Sequence, residues 1–289
     1  MIEPRVALVT CAELPDLDPD ERLLFEPLAA RGIRAEAAVW NDPAVDWAGY
    51  DLVILRSVWD YTARRKEFIE WAARVPRLAN PASIVAWNTD KTYLRDLTRA
   101  GLPVVETMWL EPDSTVTLPT SGPHVVKPAI SAGSLDTERY DLASPEQRAL
   151  AAGHATNLLA NGRTVMVQPY LEAVDTVGET ALVYFDGVFS HAVRKGPMLD
   201  GTAETVGDLY RSERIEAREP SAAELAVAAR VLTEIPVGPL LYARVDLIPA
   251  ADGTPTLLEL ELTEPSLFLA YADGSADRFA DAIVSALQP

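Results

Sequence analysis

Cysteine is nearly missing from this chain. Of 289 residues only Cys11 carries a thiol, which excludes a disulfide framework and a zinc cluster of the cysteine type. With no partner evident, Cys11 reads as a small buried hydrophobe near the end of the first strand rather than as a nucleophile. Positive charge is also short: 25 lysines and arginines face 43 acids, for a net charge of −18. A protein that binds a phosphate backbone needs a basic face, so nucleic acid is not an expected partner, whereas a small anion held by a few focused cations remains possible. Long apolar runs are absent too. No stretch approaches the length that spans a bilayer, and the N-terminus lacks the apolar segment of a signal peptide, which points away from a membrane and to the cytoplasm. The rest is ordinary for a globular protein, with 48% apolar and 24% charged residues and enough chain for two domains.

The most informative stretch is LYARVDLIPAADGTPTLLELELTEPSLF, residues 241–268. Asp252-Gly253 between two apolar runs signals a two-residue hairpin loop. If Ala251 faces Thr254, the register places Asp246 opposite Glu259, with Arg244 and Glu261 on the same face because strand side chains alternate. Val245, Leu247, Leu258, Leu260 and Leu262 then turn to a core. Carboxylates directly opposite one another destabilise a sheet. Asp246, Glu259 and Glu261 therefore predict a divalent cation, and oxygen donors suit Mg²⁺. A solvated acidic edge is the alternative reading. Pro249 and Pro255 cannot donate to the ladder, which leaves room for a wider loop.

Residues 5–80 alternate short strands (RVALVT, AEAAVW, DLVILRS) with amphipathic helices (ERLLFEPLAARG, RKEFIEWAARV), the pattern of a parallel α/β sheet. Ligands of such sheets bind beyond the carboxyl ends of the strands. That rule singles out Arg56 and Ser57 as holders of a substrate carboxylate; the alternative pairs Arg56 with a helix-face acid and makes Trp59 a core cap. Asn80-Pro81 closes the unit. A helix over 88–101 is capped by Asn88 or Thr89 and stopped by Gly101, with Lys91 in its first turn, where a cation opposes the macrodipole unless an anion is near. HVVKPAISAGS supplies Lys127 and a loop, Ser131-Ala132-Gly133-Ser134, that lets backbone amides approach phosphate oxygens without Walker A spacing. An ordinary turn is the alternative there.

A mostly polar helix at about 144–160 holds His154 as a surface or packing residue, and RTVMVQPYL is an apolar strand leading to Gln168, Tyr170 and Leu171. A second Asp-Gly hairpin, ETALVYFDGVFSHAVRK, puts Glu179 opposite Arg194. Arg194 and Lys195 then point to opposite faces, so one of them reaches a given site. His191, opposite Leu182 and on the face away from Glu179, reads as a packed histidine. Residues 197–219 read as a mobile loop, and 220–234, capped by Ser221, and 275–287 as helices.

Taken in order, Lys91, VVKPAISAGS, VQPYL, an Asp-Gly hairpin ending in Arg194-Lys195, and RVD followed by LLELEL resemble the ATP-grasp superfamily, which includes D-alanine-D-alanine ligase and glutathione synthetase. The resemblance covers about residue 81 to the end. It implies an α/β ATP-grasp fold with an α+β C-terminal part behind an N-terminal parallel α/β domain. Residues 1–80 would form the substrate-side domain, 81–167 a central lid and 168–289 the C-terminal part with the metal site. ATP and Mg²⁺, or Mn²⁺, are the implied cofactors. By position, Lys91 and Lys127 would hold the α and β phosphates, and Ser131, Gly133 and Ser134 would cover them. Gln168, Tyr170 and Leu171 would form the hinge at adenine, Glu179 would meet the ribose, and Lys195 would face the γ-phosphate.

Asp246, Glu259 and Glu261 match the family's magnesium ligands, with Glu261 standing where the pattern has asparagine. Arg244 resembles the arginine that steadies the acyl phosphate and tetrahedral intermediate. Ala181 replaces an arginine of glutathione synthetase-like patterns, which argues against that activity. ELELTEPSLF, LVYFDGVFSHAVRK and LRSVWDY are similar to the subgroup containing the cyclo-ligase of cycloserine biosynthesis, an antibiotic pathway. The implied function is an ATP- and Mg-dependent carboxylate-amine ligase, working through an acyl phosphate on a small amino-acid-like substrate bounded by Arg56, Ser57, Arg244 and Ser266. Its alternatives are an intramolecular cyclo-ligase of the O-ureido-serine type, a non-catalytic nucleotide-binding regulator and a small-molecule kinase. The expected partner is that small molecule, with a homodimer as the candidate assembly.

Overall fold

The run Val-Ala-Leu-Val-Thr of strand β1 (Arg5–Thr10) is buried on both faces, which makes it the centre of a parallel sheet. It pairs with β2 (Arg34–Val39) and β3 (Leu52–Ser57), and β4 (Leu78–Ala79) completes the order β2-β1-β3-β4. Helices α1 (Phe25–Ala30) and α2 (Arg65–Ala72) supply the crossovers. Alternation sends Val6, Leu8 and Ile54 to one face and Ala7, Val9, Val53 and Leu55 to the other, where Trp40, Phe68 and Trp71 pack edge-on and stacked. The structure is a computed structural model and describes residues 3–196, 205–206, 210–211, 214–238 and 240–288.

The single helix expected over 88–101 is two, α3 (Ala82–Asn88) and α4 (Tyr93–Arg99). The break has a cause. Asn88, rather than capping a helix, donates to the Leu260 carbonyl (2.8 Å) and accepts from the Leu262 amide (2.7 Å), and the Lys91 amide donates to the Ala129 carbonyl (2.9 Å). Lys91 therefore sits between helices.

A second sheet is antiparallel, in the order β5-β8-β6-β7: β5 (Met108–Leu110), β6 (Pro123–Pro128), β7 (Glu138–Asp141) and β8 (Val165–Pro169). Helix α5 (Pro145–Ala160), capped by the Ser144 side chain, covers it and buries Ala151, Ala155 and Leu158. The expected boundary between residues 167 and 168 falls inside β8, all of which pairs within this sheet.

The third sheet follows the short α6 (Ala173–Thr176) and has the order β13-β10-β9-β14-β15. Its strands are β9 (Glu179–Phe185), β10 (Val188–Lys195), β13 (Ile215–Arg218), β14 (Tyr242–Pro249) and β15 (Pro255–Glu261); β11 (Thr205–Val206) and β12 (Tyr210–Arg211) pair separately. Much of the loop expected at 197–219 lies outside the described residues. Helix α7 (Ala222–Thr233) starts with a capping box between Ser221 and Glu224. Helix α8 (Ser275–Ala286) wedges Phe279 and Ile283 between Val6, Leu8 and Leu28 of the first layer and Val183, Phe185 and Tyr242 of the third. Burying a side chain the size of Phe279 contributes roughly 1.5–3 kcal/mol, so α8 ties the two sheets into one core. No helix among the described residues is long and apolar enough to cross a membrane.

Candidate active site

The β14–β15 loop is wider than two residues. The ladder closes at Pro249 opposite Pro255, and within residues 250–254 the Ala250 amide donates to the Thr254 carbonyl (2.9 Å). That width shifts the pairing by one, so that Leu247 faces Leu257. A bulge between Asp246 and Leu247 then shifts it back, and Asp246 faces Glu259 while Arg244 faces Glu261. The carboxylates stand as the sequence predicts, but Leu258 does not. Leu257 takes the core position and Leu258 turns to a cavity instead.

The β9–β10 loop is the two-residue one expected, with Asp186 and Gly187 both at positive φ. Here a bulge between Phe189 and His191 goes uncompensated. Glu179 is therefore opposite Lys195, not Arg194, and His191 is opposite Val183, not Leu182. Lys195 Nζ lies 3.1 Å from Glu179 and 3.0 Å from Asp246. Arg194 turns away to Glu216 (3.5 Å) and to the carbonyls of Thr176 and Val177. Gly178, at φ +77°, permits this, since a Cβ there would stand 2.6 Å from the Lys195 carbonyl. His191 falls on the Lys195 face, contrary to expectation, but is packed as expected. Its Nε2 donates to the Leu267 carbonyl (2.8 Å), and burial lowers its pKa.

A cavity of about 320 Å³ opens between the three sheets, with Lys91, Lys127, Lys195, Arg244, Glu259 and Glu261 in its wall. A smaller one of about 110 Å³ adjoins it, shares Lys127, Lys195, Ser134 and Glu259, and adds Gln168, Tyr170, Leu171 and Glu179. Ser131, Gly133 and Ser134 line the first, and the Ser131 carbonyl accepts from Lys91 Nζ at 2.6 Å. Lys91 also meets Glu259 at 2.9 Å. The Gln168 side chain is directed to Thr107 (2.8 Å) and Tyr170 OH to Asp175 (2.6 Å).

Charge is nearly balanced within this wall. Burial works to raise the Asp246 carboxyl, but Arg244 (2.9 Å) and Lys195 outweigh it and hold it below the usual range. Lys91 and Lys127 do the same for Glu259. Glu261 goes the other way: burial, helped by the like charges of Glu259 and Asp246, pushes it up to about 8 although Arg244 is bonded to it. Burial lowers Lys127. Among the described residues no three acidic, histidine or cysteine side chains form a ready-made metal cage, because Lys91, Lys195 and Arg244 lie between the carboxylates. Such a set fits Mg²⁺ nonetheless, since that ion binds through one or two carboxylates plus substrate phosphates.

Comparison with known proteins bears on this geometry. A model of the D-cycloserine synthetase DcsG N-terminal domain matches residues 6–80. The cycloserine biosynthesis protein DcsG of Streptomyces lavendulae is 40% identical over 98% of this chain and 99% of its own length. This chain belongs to the DcsG family. The crystal structure of D-cycloserine synthetase DcsG is 37% identical and superposes with a TM-score of 0.86 over 98% of this chain and all of that one. The D-alanine–D-alanine ligase of Bacillus anthracis, at 15% identity, shares the fold with a TM-score of 0.66 over 98% of this chain and 97% of its own. The DcsG-type chain is thus an ATP-grasp ligase, with the α/β architecture expected.

Three expected site residues line neither cavity: Asp246, wholly buried against Lys195 and Arg244, and the pair Arg56 and Ser57. In this DcsG-family chain Arg56 is fully buried, 3.0 Å from Glu21 Oε2 and 2.5 Å from the Pro265 carbonyl, above the Tyr242 ring. Ser57 is equally buried and accepts from the Asp18 amide (3.1 Å). The cavity does lie beyond the strand ends, at Asp18, Asp20 and Tyr61, but the Glu264 and Pro265 carbonyls close over Trp59 and Arg56 and seal the end of β3 itself. Ser266 does line the cavity, and its carbonyl accepts from Arg244 (3.0 Å). Sequence reasoning passed over Tyr61, Asp18, Asp20 and Glu264, which also line it. Glu264 breaks the alternation of Glu259 and Glu261, and the proline after it was the available sign that the strand had ended.

Proposed function

We propose that this chain closes a C–N bond within a small amino-acid-like molecule, activating its carboxylate as an acyl phosphate as a D-cycloserine synthetase would. The observation that supports this is the gathering of Lys91, Lys127, Lys195 and Arg244 with Glu259 and Glu261 in one cavity of a strongly acidic protein, with Asp246 buried directly behind Lys195 and Arg244. Cations focused in this way hold a polyphosphate. Lys91 and Lys127 bind the α and β phosphates under the 131–134 loop. The adenine occupies the smaller cavity beside the backbone of residues 168–171, with Glu179 towards the ribose.

Asp246, Glu259 and Glu261 would hold Mg²⁺, which would supply neutralisation of phosphate charge. Lys195, placed between Glu179 and Asp246, stabilises charge on the transferring phosphoryl group. Arg244 is braced by Asp246, Glu261 and the Ser266 carbonyl, so its guanidinium is preorganised for the oxyanion that forms when nitrogen attacks the acyl carbon. The nitrogen then forms its bond to carbon as the carbon–oxygen bond to phosphate breaks, and phosphate leaves. Residues 1–80, the lid sheet and the C-terminal sheet act as substrate wall, cover and floor.

The test is ADP release with Mg²⁺ and O-ureido-serine, read with mass spectrometry of the product. A ring product with stoichiometric ADP is expected. ADP without ring closure would point to a kinase, and magnesium-dependent ATP binding without turnover to a regulator.

A further inference from the structure

The substrate-side wall of the main cavity carries a carboxylate that the ligase reading has not used. Glu264 lies three residues beyond Glu261, on the segment that leaves β15. Its position is fixed from two sides. Trp59 Nε1 donates to the Glu264 carbonyl (3.0 Å), Arg56 Nη2 to the Pro265 carbonyl (2.5 Å) and Arg244 Nη1 to the Ser266 carbonyl (3.0 Å). Phe268, at φ +52°, takes up the turn in a conformation unfavourable for a bulky residue, a kind of strain that is concentrated at ligand sites. The carboxylate itself accepts from the hydroxyl of Tyr61, a residue 2% exposed.

We propose that Glu264, oriented by Tyr61, binds the α-ammonium of the amino-acid-like substrate and thereby selects it. The inference rests on the ligase reading above and adds the second pole of the substrate. An amino acid brings a carboxylate and an ammonium only a few bonds apart. The carboxylate must go to the side of Arg244 and Lys195, where it is activated, and those cations repel the ammonium. It needs an anion across the cavity.

Asp20 does not serve, because its two oxygens accept from the Leu269 and Ala270 amides (2.8 Å each), and Asp18 Oδ1 accepts from the Asp20 amide (3.0 Å). Glu264 is directed to the cavity and lies near enough to Lys91, Glu259 and Arg244 to feel their charges. Tyr61 is a neutral donor and fixes direction without cancelling charge. In agreement, burial pushes the Glu264 carboxyl up to about 7, although Tyr61 and Lys91 oppose the rise. A bound ammonium would supply the rest of the counter-charge.

The experiment uses the full chain with MgATP and two probes, O-ureido-serine and the same molecule with hydrogen in place of the α-amino group, read by ADP release. A hydrogen bond between charged groups sets the scale, so Glu264→Gln should raise KM for the amino compound at least about tenfold while moving kcat less than about threefold. It should leave kcat/KM for the des-amino compound within about twofold of wild type on the same scale. Glu264→Asp should recover part of the amino preference, and Tyr61→Phe should weaken it less than Glu264→Gln does. Equal losses for both compounds, or no change for either, would overturn the role of Glu264 and leave the ligase reading standing. Failure of the wild type to turn over either compound would overturn the substrate class, and this inference with it.

Discussion

Two hairpins with the same Asp-Gly signal lie side by side in the C-terminal sheet, and counting from the turn succeeds in one and fails in the other. In β14–β15 the loop is wider than the dipeptide suggests, yet the bulge beyond Leu247 cancels the shift and the site register survives. In β9–β10 the loop is as counted, yet the bulge at 190 is not cancelled, and Lys195 takes the place assigned to Arg194. Register far from a turn is the sum of loop length and bulges. What selects the sum is the face that must be buried. Asp246 needs Lys195 and Arg244 beside it, because an ion left unpaired in that interior costs several kcal/mol.

The sharpest way to break this comparison is to exchange the roles of the two basic neighbours. Lys195→Ala should lower ligase turnover roughly 10²–10³-fold, the cost of removing one preorganised charge-stabilising donor. It should also lower the melting temperature, since Glu179 and Asp246 lose a partner. Arg194→Ala, whose side chain meets a partly exposed acid and two carbonyls, should leave turnover within about twofold, as surface ion pairs contribute little. The reverse result would mean that β10 lacks its bulge in solution.

The bulge of the other hairpin is tested by its two leucines. Leu257→Ala should cost about 2–5 kcal/mol in chemical denaturation, because Leu257 is fully buried in the core. Leu258→Ala should cost less in denaturation and instead weaken ATP binding measured by calorimetry, since Leu258 lines the smaller cavity. A larger stability loss at 258 would restore the plain register.

The smallest effects are in the pH dependence of melting, where the two hairpins should act in opposite senses. His191 on β10 is held below its ordinary 6.5, so its contribution is full above that pH and lost as pH falls through the lowered value. Glu264 beyond β15 is raised from 4.5 to about 7, so its contribution is full below pH 4.5 and lost as pH rises through about 7. Without nucleotide or metal, His191→Gln should flatten the acid limb of a melting-temperature profile, and Glu264→Gln the neutral limb. Unchanged limbs would show that other groups dominate each.

Residues whose neighbours are set by chain order were legible. The parallel sheet of residues 5–80 follows from alternating apolar runs and α7 from its Ser221 cap, whereas Asp246 faces Glu259 as counted only because a bulge cancels the wider loop. Contacts made across the fold were not. Arg56 looked like a ligand for substrate because it ends a parallel strand, and only the docking of Glu21 and residue Pro265 onto it shows that it is a buried brace. Asn88 looked like a helix cap until β15 took both ends of its amide.

Composition and periodicity by themselves determined a globular α/β chain without a basic face, the alternation of strands and helices over residues 5–80, and which residue types could serve chemistry. Tertiary structure alone decided which of two adjacent basic residues enters the cavity, which arginine is sealed away, and that Glu264 joins the wall. The physical reason is that local pattern fixes the alternation of side chains along one strand. Bulges and the covering of sheet edges depend on surfaces brought together from distant parts of the chain.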